Sequence, residues 1–226
     1  MKIWIDLDNS PHVPLFRPVI DKLHKRNIQT IVTARNYAQT IDLLKFWNIP
    51  HFPVGKHGGK SKAKKILNLF QRSSQLKKFI ADHKPDIALS HGSRTQTIAA
   101  QRLKIPCVVM TDYEYTESRI FNRFATKLLI PAFIPDQRLK ENHFNLKKVI
   151  RYHGFKEQLY LKHFEPDDNF LEKNKLPADK IICTIRPPAL LGNYHNPVSE
   201  KIIIKVIEKL VETNDVFPLI VSRTKE

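Results

Sequence analysis

The chain has 226 residues, of which 42% are hydrophobic and 27% charged, the profile of a globular protein. No window approaches the ~20 consecutive apolar residues of a membrane-spanning helix, and the first residues lack a signal-peptide core, so we expect a cytoplasmic protein. The net charge of +16 favours an anionic partner: nucleic acid, an acidic membrane surface or a phosphorylated substrate.

The two cysteines, Cys107 and Cys183, each lie inside an apolar run, which is typical of buried free thiols. The ten histidines include no His-x-x-x-His pair and no Cys/His cluster with metal-ligand spacing. The sequence therefore predicts neither a disulfide nor a structural metal site.

Short aliphatic runs alternate with longer stretches that carry apolar residues at helical spacing. Strands are predicted over residues 2–7, 30–34, 51–54, 86–90, 106–111, 126–133 and 148–154. Helices are predicted over residues 15–25, 38–47, 66–83 and 96–103, and another begins in 155–161. This order predicts an α/β fold: a Rossmann-like, doubly wound parallel sheet with helices on both faces.

Residues 165–178 are polar and rich in turn formers, which predicts a linker after an N-terminal domain of residues 1–164. The rhythm then restarts in residues 179–226, with strands over 181–186 and 216–222 and a helix over 199–213. One β-α-β unit cannot cover both faces of its own sheet. We therefore expect an incomplete second Rossmann-like domain, in a chain that is truncated from a longer protein.

Polar residues follow the predicted strands at one edge of the sheet, where doubly wound proteins bind ligands. The candidates are Asp8, Asn9, Ser10, His12, His91, Gly92, Ser93, Arg94, Asp112, Tyr113, Glu114, Gly154, Lys156, Arg186 and His195. Structural alternatives exist for them: the residues after strand one could simply cap a helix, and the basic loop over residues 55–65 could be a solvated surface.

Several familiar motifs are absent. The glycine-rich loop over residues 55–65 lacks the pattern of a P-loop, and no G-x-G-x-x-G follows the first strand. No G-x-S-x-G elbow occurs either. These absences argue against ATP hydrolysis, NAD(P) chemistry and a serine nucleophile of the hydrolase type.

The opening stretch KIWIDLDNSPH resembles the K-x-W-I-D-x-x-N-x-P-H pattern of an uncharacterised, largely archaeal and bacterial family of GT-B-like proteins. The segments VTARNYAQT, TDYEY, RPP and RTKE fit the same family, so the resemblance spans the chain. It implies a GT-B fold, in which two Rossmann-like domains face a cleft.

Two better-understood GT-B families are also similar. The segment from His12 to Pro14 is similar to the His-Val-x-Pro of the enzyme that adds N-acetylglucosamine in peptidoglycan-precursor synthesis, although DNSP replaces most of its glycines. The enzyme's Asn-Arg pair is similar to the one in FNRFATKLL. SHGSRT, TDYEY and TIRPPALLGNYHN resemble motifs of the non-hydrolysing UDP-N-acetylglucosamine 2-epimerases.

One departure from the epimerase pattern bears on the reaction. Ser93 stands where the epimerases have an Asp, and Ile185 and Arg186 stand near their His-Arg pair. A hydroxyl and an aliphatic group cannot do the acid–base work of a carboxylate and an imidazole. The resemblance therefore ranks a transferase above an epimerase.

The resemblance implies an enzyme that acts on a nucleotide sugar, foremost a metal-independent glycosyltransferase without a tightly bound cofactor. His12, Asp8 or Asp112 would take the proton of the acceptor hydroxyl, and Arg186 would stabilise the departing diphosphate. The other candidates would bind substrate, with a small or lipid-linked acceptor on the N-terminal domain and most donor contacts beyond Glu226.

Two other functions stay open. A nucleic-acid-binding protein is favoured by the charge and by the segment KHGGKSKAKK, although no zinc finger or aromatic RNP pattern accompanies them. A GT-B fold that has lost catalysis and acts as a binding module is the second. The charge also suggests peripheral contact with an anionic membrane, at its inner face.

Overall fold

The computed structural model describes residues 1–56, 62–162, 164–188 and 196–222, without the side chains of residues 62 and 63. It consists of two compact units, Met1–His163 (unit 1) and Phe164–Glu226 (unit 2). In the described residues, no helix is both long enough and apolar enough to cross a lipid bilayer.

Unit 1 is built on a parallel seven-stranded sheet with the strand order β3-β2-β1-β4-β5-β6-β7. The strands are β1 (Lys2–Leu7), β2 (Gln29–Asn36), β3 (Phe52–Lys56), β4 (Ile87–His91), β5 (Cys107–Met110), β6 (Lys127–Pro131) and β7 (Val149–Tyr152). The chain adds β2 and β3 on one side of β1, then crosses over and adds β4 to β7 on the other. The winding direction therefore reverses between β1 and β4.

Helices connect these strands and cover both faces of the sheet. They are α1 (His12–His24), α2 (Thr40–Phe46), α3 (Lys62–Ala81), α4 (Arg94–Arg102), α5 (Arg119–Phe124), α6 (Asp136–Glu141) and α7 (Gln158–Leu161), with a 3₁₀ turn at Leu146–Lys148. Neighbouring residues of a strand point to opposite faces, so Trp4 and Ile5 of β1 lie in different core clusters. Phe16 of α1 packs on the face of Ile5, and Leu76 of α3 on the face of Trp4. This arrangement confirms the predicted doubly wound α/β fold.

The structure differs from the sequence-based expectation at several helices. Helix α1 begins at His12 instead of residue 15, because Pro11 and Pro14 have backbone angles that suit the first turn of a helix, where no N–H partner is needed. The sequence interpretation missed α5 and α6, which have only six residues each and so show little periodicity. Phe70, placed on the apolar stripe of α3, is 50% exposed.

The carboxylate of Asp6, near the end of β1, is fully buried. Arg72 of α3 donates to both of its oxygens through two guanidinium nitrogens, each at 2.8 Å. Thr33 and Ser93 donate their hydroxyls to the same carboxylate at 2.6 Å. Burial alone would raise the pKa of Asp6, but the charge of Arg72 and these hydrogen bonds hold that pKa below its usual range.

Further contacts extend this buried network. The indole N–H of Trp4 donates to the hydroxyl of Thr33 at 2.8 Å, and Nε of Arg72 donates to the carbonyl of Val54 in β3 at 2.8 Å. Gly55, with a φ of +78°, lies so close to Arg72 that an added Cβ would stand 2.9 Å from the arginine side chain. The network thus connects three strands with α3 and α4.

Unit 2 contains a two-stranded parallel sheet of β8 (Ile181–Ile185) and β9 (Val216–Ile220). Helix α9 (Pro197–Val211) connects them, and the side chain of Asn196 caps it by accepting from the N–H of Val198 at 3.0 Å. A short helix, α8 (Phe170–Lys173), falls inside the predicted linker. Cys183 in β8 is only partly buried, unlike Cys107 of unit 1, so the expectation of two buried thiols is correct for Cys107 alone.

The Asp6–Arg72 pair predicts strong coupling in a double-mutant cycle. We expect Asp6→Asn and Arg72→Met each to destabilise unit 1 by about 3–5 kcal/mol, because each leaves a buried charge without its partner. The double variant should lose clearly less stability than the sum of the two single losses, because neither charge of the pair then remains. Urea unfolding followed by tryptophan fluorescence measures unit 1 alone, since both tryptophans, Trp4 and Trp47, lie in it.

The exposed pair of Arg138 and Glu141 is the control, and Glu141→Gln should change stability by less than about 1 kcal/mol. Strict additivity of the two buried substitutions would contradict the assigned network.

Candidate functional site

The candidate site lies where the winding direction of the sheet reverses, at the carboxyl ends of β1, β4 and β5. Strands β1 and β4 are hydrogen-bonded neighbours, with Asp6 opposite Ser90, and β4 pairs with β5 so that His91 lies opposite Met110. The chain leaves β1 and β4 in opposite directions, which opens a crevice at this edge. Polar side chains from the turns after these strands meet there.

His12 is the first residue of α1, and its ring is oriented by the backbone. The N–H of Asp8 donates to Nδ1 of His12 at 3.2 Å. A backbone N–H can only donate, so Nδ1 is the acceptor and the neutral ring carries its proton on Nε2. Burial and the neighbouring His91 lower the pKa of His12 to about 3, so the ring is neutral at physiological pH.

His91, Asp112 and Lys156 form a hydrogen-bonded chain beside His12. Nε2 of His91 lies 3.0 Å from Oδ1 of Asp112, and Nζ of Lys156 donates to Oδ2 of the same carboxylate. Burial would raise the pKa of Asp112, but the hydrogen bonds from His91 and Lys156 hold it well below its usual range. Because Asp112 is ionised, Nε2 of His91 must carry a proton.

The two imidazoles face each other, with ring centroids 5.0 Å apart and planes inclined by 50°. In its neutral form the His91 ring keeps a lone pair on Nδ1, to which no described residue donates a hydrogen bond. The cluster of His12, His91, Asp112 and Lys156 thus combines a neutral N–H donor, a carboxylate-oriented imidazole and a fixed positive charge. We refer to these four residues as the histidine cluster.

The residues after β1 connect this cluster with the buried network. Asp8 pairs with Arg35 at 3.2 Å and with Arg72 at 2.7 Å. Asn9 and Ser10 stabilise the turn: the N–H of Ser10 donates to the Asn9 side chain at 2.9 Å, and the Ser10 hydroxyl accepts from the N–H of Gln39 at 3.0 Å. Neither side chain caps α1, although this was the structural alternative.

The turn after β4 contains one residue beside open space, Gly92, and one that is fully buried, Ser93. Gly92 has a φ of +68° and open space where a side chain would stand. Ser93 is fully buried, donates to Asp6 and caps α4 by accepting from the N–H of Gln96 at 3.2 Å. Its hydroxyl is therefore occupied within the protein. Arg94, which begins α4, is partly exposed; hydrogen bonds from Arg119, with a smaller contribution from the charge of Arg94, lower the pKa of Glu117.

Two exposed tyrosines follow Asp112 in the chain. Tyr113 directly follows Asp112 and contacts Tyr115, with ring centroids 5.4 Å apart, while Glu114 between them is partly buried. Past β7, Gly154 has a φ of +98° and would clash with Gln158 if it carried a Cβ.

Two predicted site residues belong to unit 2. Arg186 directly follows β8 and is exposed, whereas His195 lies outside the described residues.

Sequence interpretation missed several residues of this region. Arg72 lies in the middle of a helix, where its pattern is that of an ordinary surface arginine, and Arg35 lies at the end of β2. Burial, with Asp112 and Glu157 nearby, raises the pKa of Tyr152 to about 12, and its buried hydroxyl has no hydrogen-bond partner among the described residues. Among the described residues, no group of three or more His, Cys, Asp or Glu side chains could hold a metal ion.

Solved structures define the class of fold. The MnaA–UDP complex of S. aureus has a TM-score of 0.74 and 17% identity, with 98% of this chain and 62% of that one covered. The UDP-GlcNAc 2-epimerase of Neisseria meningitidis, bound to UDP-GlcNAc, has a TM-score of 0.60 and 17% identity, with 100% and 73% covered. HepE of Anabaena, with UDP and glucose, has a TM-score of 0.62 and 14% identity, with 97% and 69% covered. The chain therefore has a GT-B-like fold of the Rossmann type.

The amino-acid sequence identifies the family within this class of fold. Residues 1–226 match the family described as "Protein of unknown function (DUF354)", and the chain belongs to that family. Uncharacterized protein MJ0665 of Methanocaldococcus jannaschii is 29% identical over 228 residues, which are 96% of this chain and 66% of that protein. The chain thus spans slightly less than two thirds of the length of this archaeal relative.

The pKa of His12 predicts an acid-sensitive fold. In the unfolded chain a histidine binds a proton below about pH 6.5, whereas folded His12 does not until about pH 3. The unfolded state binds more protons in this window, so stability falls as the pH drops. In His12→Asn, the Oδ1 atom can still accept from the N–H of Asp8. Between pH 7 and pH 5 we expect the free energy of unfolding of this variant to fall by about 2 kcal/mol less than that of the wild type.

Urea unfolding at both pH values, followed by tryptophan fluorescence, measures this difference. His24→Asn is the matched control, since His24 is an exposed residue of the same helix. Equal pH dependence in the His12 variant and the wild type would show that His12 does not stay neutral in the folded state.

Proposed function

We propose that the protein is a GT-B-type enzyme that acts on a nucleotide sugar, as a metal-independent glycosyltransferase. The observation that carries this proposal is the Asp112–His91 pair at the carboxyl edge of β4 and β5. A carboxylate that orients an imidazole whose second nitrogen is free is the arrangement of a general base. The nucleotide-sugar complexes of the GT-B-like neighbours support the donor class.

We assign the general base to His91. Its Nδ1 would take the proton of an acceptor hydroxyl as that oxygen attacks the anomeric carbon and the bond to the nucleoside diphosphate breaks. Asp112 would stabilise the imidazolium that forms. Of the bases considered from the sequence, His12 and Asp112 have strongly lowered pKa values, which makes them weak bases, and Asp8 is paired with two arginines.

His12 has a different role in this proposal. With Nδ1 occupied by the N–H of Asp8, the neutral ring offers Nε2–H to a substrate oxygen. Lys156 keeps Asp112 ionised and adds positive charge close to the reacting atoms. Arg186 of unit 2 remains our candidate for stabilising the departing diphosphate, a small or lipid-linked molecule our candidate acceptor, and the exposed rim residues our candidate substrate contacts.

The burial of Ser93 supports sugar transfer over epimerisation at this site. An epimerase needs an acid and a base that exchange protons with the sugar carbon, and the corresponding Asp is Ser93 here. A fully buried hydroxyl that donates to Asp6 reaches no ligand. Product analysis separates the two reactions, since transfer gives a new glycoside and free nucleotide whereas epimerisation gives an isomeric nucleotide sugar.

The assignment of His91 predicts a large effect on turnover. We expect His91→Gln to lower kcat by about 10²–10⁴-fold, because Gln can still donate to Asp112 but cannot accept a proton. Asp112→Asn should lower kcat by at least about 10²-fold, because the imidazolium loses its counter-charge. Labelled UDP-N-acetylglucosamine and other nucleotide sugars, offered with a lipid extract as acceptor source, provide the assay.

His24→Asn should keep the wild-type kcat, and tryptophan fluorescence checks that each variant is folded. Unchanged turnover in His91→Gln would remove the base assignment. If the wild type turned over no nucleotide sugar and bound none, the proposed function itself would be wrong.

A further inference from the structure

The first half of α3 exposes large apolar side chains that its packing cannot explain. Ile66, Leu67 and Phe70 are 59%, 67% and 50% exposed. Leu76 and Ile80, further along the helix, are fully buried. A helix that packs on a sheet normally carries polar residues on its outward side, so three large apolar side chains on the exposed side of α3 require a separate reason.

Eight of the exposed residues of α3 form one continuous face. At about 100° per residue they span roughly 160° of the helix. The face consists of Lys64, Ile66, Leu67, Phe70, Gln71, Ser74, Lys77 and Lys78, all of which are exposed. We call these eight residues the α3 face. Arg102 of α4 adds a further positive charge, since its guanidinium donates to the hydroxyl of Ser74 at 3.5 Å.

The charge around this face has one sign only. Residues 43–81 contain eight lysines and one arginine and no aspartate or glutamate. Arg72, the one arginine, is paired in the buried network, and α3 itself contains no aspartate or glutamate. Lys64 and Lys65 also lie in the first turn of α3, where the helix dipole disfavours cations. Cations at a helix N-terminus reduce the stability of the helix, and such a local cost is expected where a surface binds an anion.

The first half of the α3 face, from Lys64 to Gln71, lies toward the edge of the sheet that carries the histidine cluster. Because β3 and β4 are parallel, α3 must run back from the carboxyl edge to the amino edge. Arg72 is level with Asp6, near the carboxyl end of β1. The ten residues of α3 before Arg72 therefore extend about 15 Å past that level, toward the side on which the candidate site opens.

We propose that the α3 face docks unit 1 on an anionic lipid membrane. The three apolar side chains would enter the acyl boundary, and the lysines around them would contact lipid phosphates. Charge complementarity selects this occupant. A second copy of the chain would place one acid-free, lysine-rich face against another, and a polynucleotide would give the aliphatic side chains no apolar partner. The proposal stands independently of the reaction assigned to the histidine cluster.

Sedimentation of the 226-residue chain with lipid vesicles tests the proposal. We expect binding to vesicles of equal phosphatidylcholine and phosphatidylglycerol, with a partition coefficient at least about tenfold above that for phosphatidylcholine alone. Lys64→Gln/Lys77→Gln/Lys78→Gln should lower it on the order of a hundredfold and weaken its salt dependence. Ile66→Ser/Leu67→Ser/Phe70→Ser should lower it at least about tenfold.

The matched control is Ile202→Ser/Ile204→Ser/Val206→Ser, which removes three equally exposed apolar side chains from α9 and should leave binding unchanged. As a second measurement, Phe70→Trp places an indole on the α3 face, and brominated phosphatidylglycerol should quench its fluorescence, while the wild-type signal from Trp4 and Trp47 changes little.

The proposal fails if the serine variant binds anionic vesicles like the wild type, or if the α9 control loses binding instead. It also fails if the wild type binds oligonucleotides but no vesicles, or if size exclusion shows a dimer that only the serine variant abolishes. A chain that binds vesicles through the α3 face but turns over no nucleotide sugar supports this inference while contradicting the proposed function.

Discussion

The buried ion pair of Asp6 and Arg72 is the constraint on which the rest of unit 1 depends. A carboxylate without access to water is stable only when its lone pairs are all matched, and here a bidentate guanidinium and two hydroxyls match them. Because the donors come from β2, α3 and the turn between β4 and α4, satisfying this one charge sets the relative positions of those elements. His91, the last residue of β4, directly precedes that turn and is held in place by the same contacts.

The candidate site therefore has two layers with different physical properties. In the lower layer the carboxylate of Asp6 and the guanidinium of Arg72 are buried and paired, so this layer can act as a rigid support. In the upper layer the histidine cluster is partly exposed, and its groups differ in their affinity for protons. His12 stays neutral because burial and His91 oppose its charge, whereas Asp112 stays ionised because His91 and Lys156 donate to it. A stiff support below an imidazole with a free lone pair is what positioned proton transfer requires.

The same anchor separates the two sides of α3. Arg72 turns one side of the helix toward the buried network, and Leu76 and Ile80 pack into the core on that side. Ile66, Leu67 and Phe70 lie on the outward side and are exposed. At about 100° per residue Phe70 falls on the side of Ser74 and Lys77, both exposed, so its assignment to the core stripe from the sequence was wrong.

The order of the strands, the longer helices, the parallel sheet and the edge that gathers the polar residues could be predicted from the sequence, because aliphatic runs and helical spacing are local properties. His12, His91, Asp112 and Lys156 were each found by their place after a strand. Their grouping was decided by strand order and side-chain geometry, which brought together groups as far apart as residues 12 and 156. Asp6 and Arg72, 66 residues apart, show the same limit: each looks ordinary in its own segment, and only burial at a shared position makes their pairing obligatory.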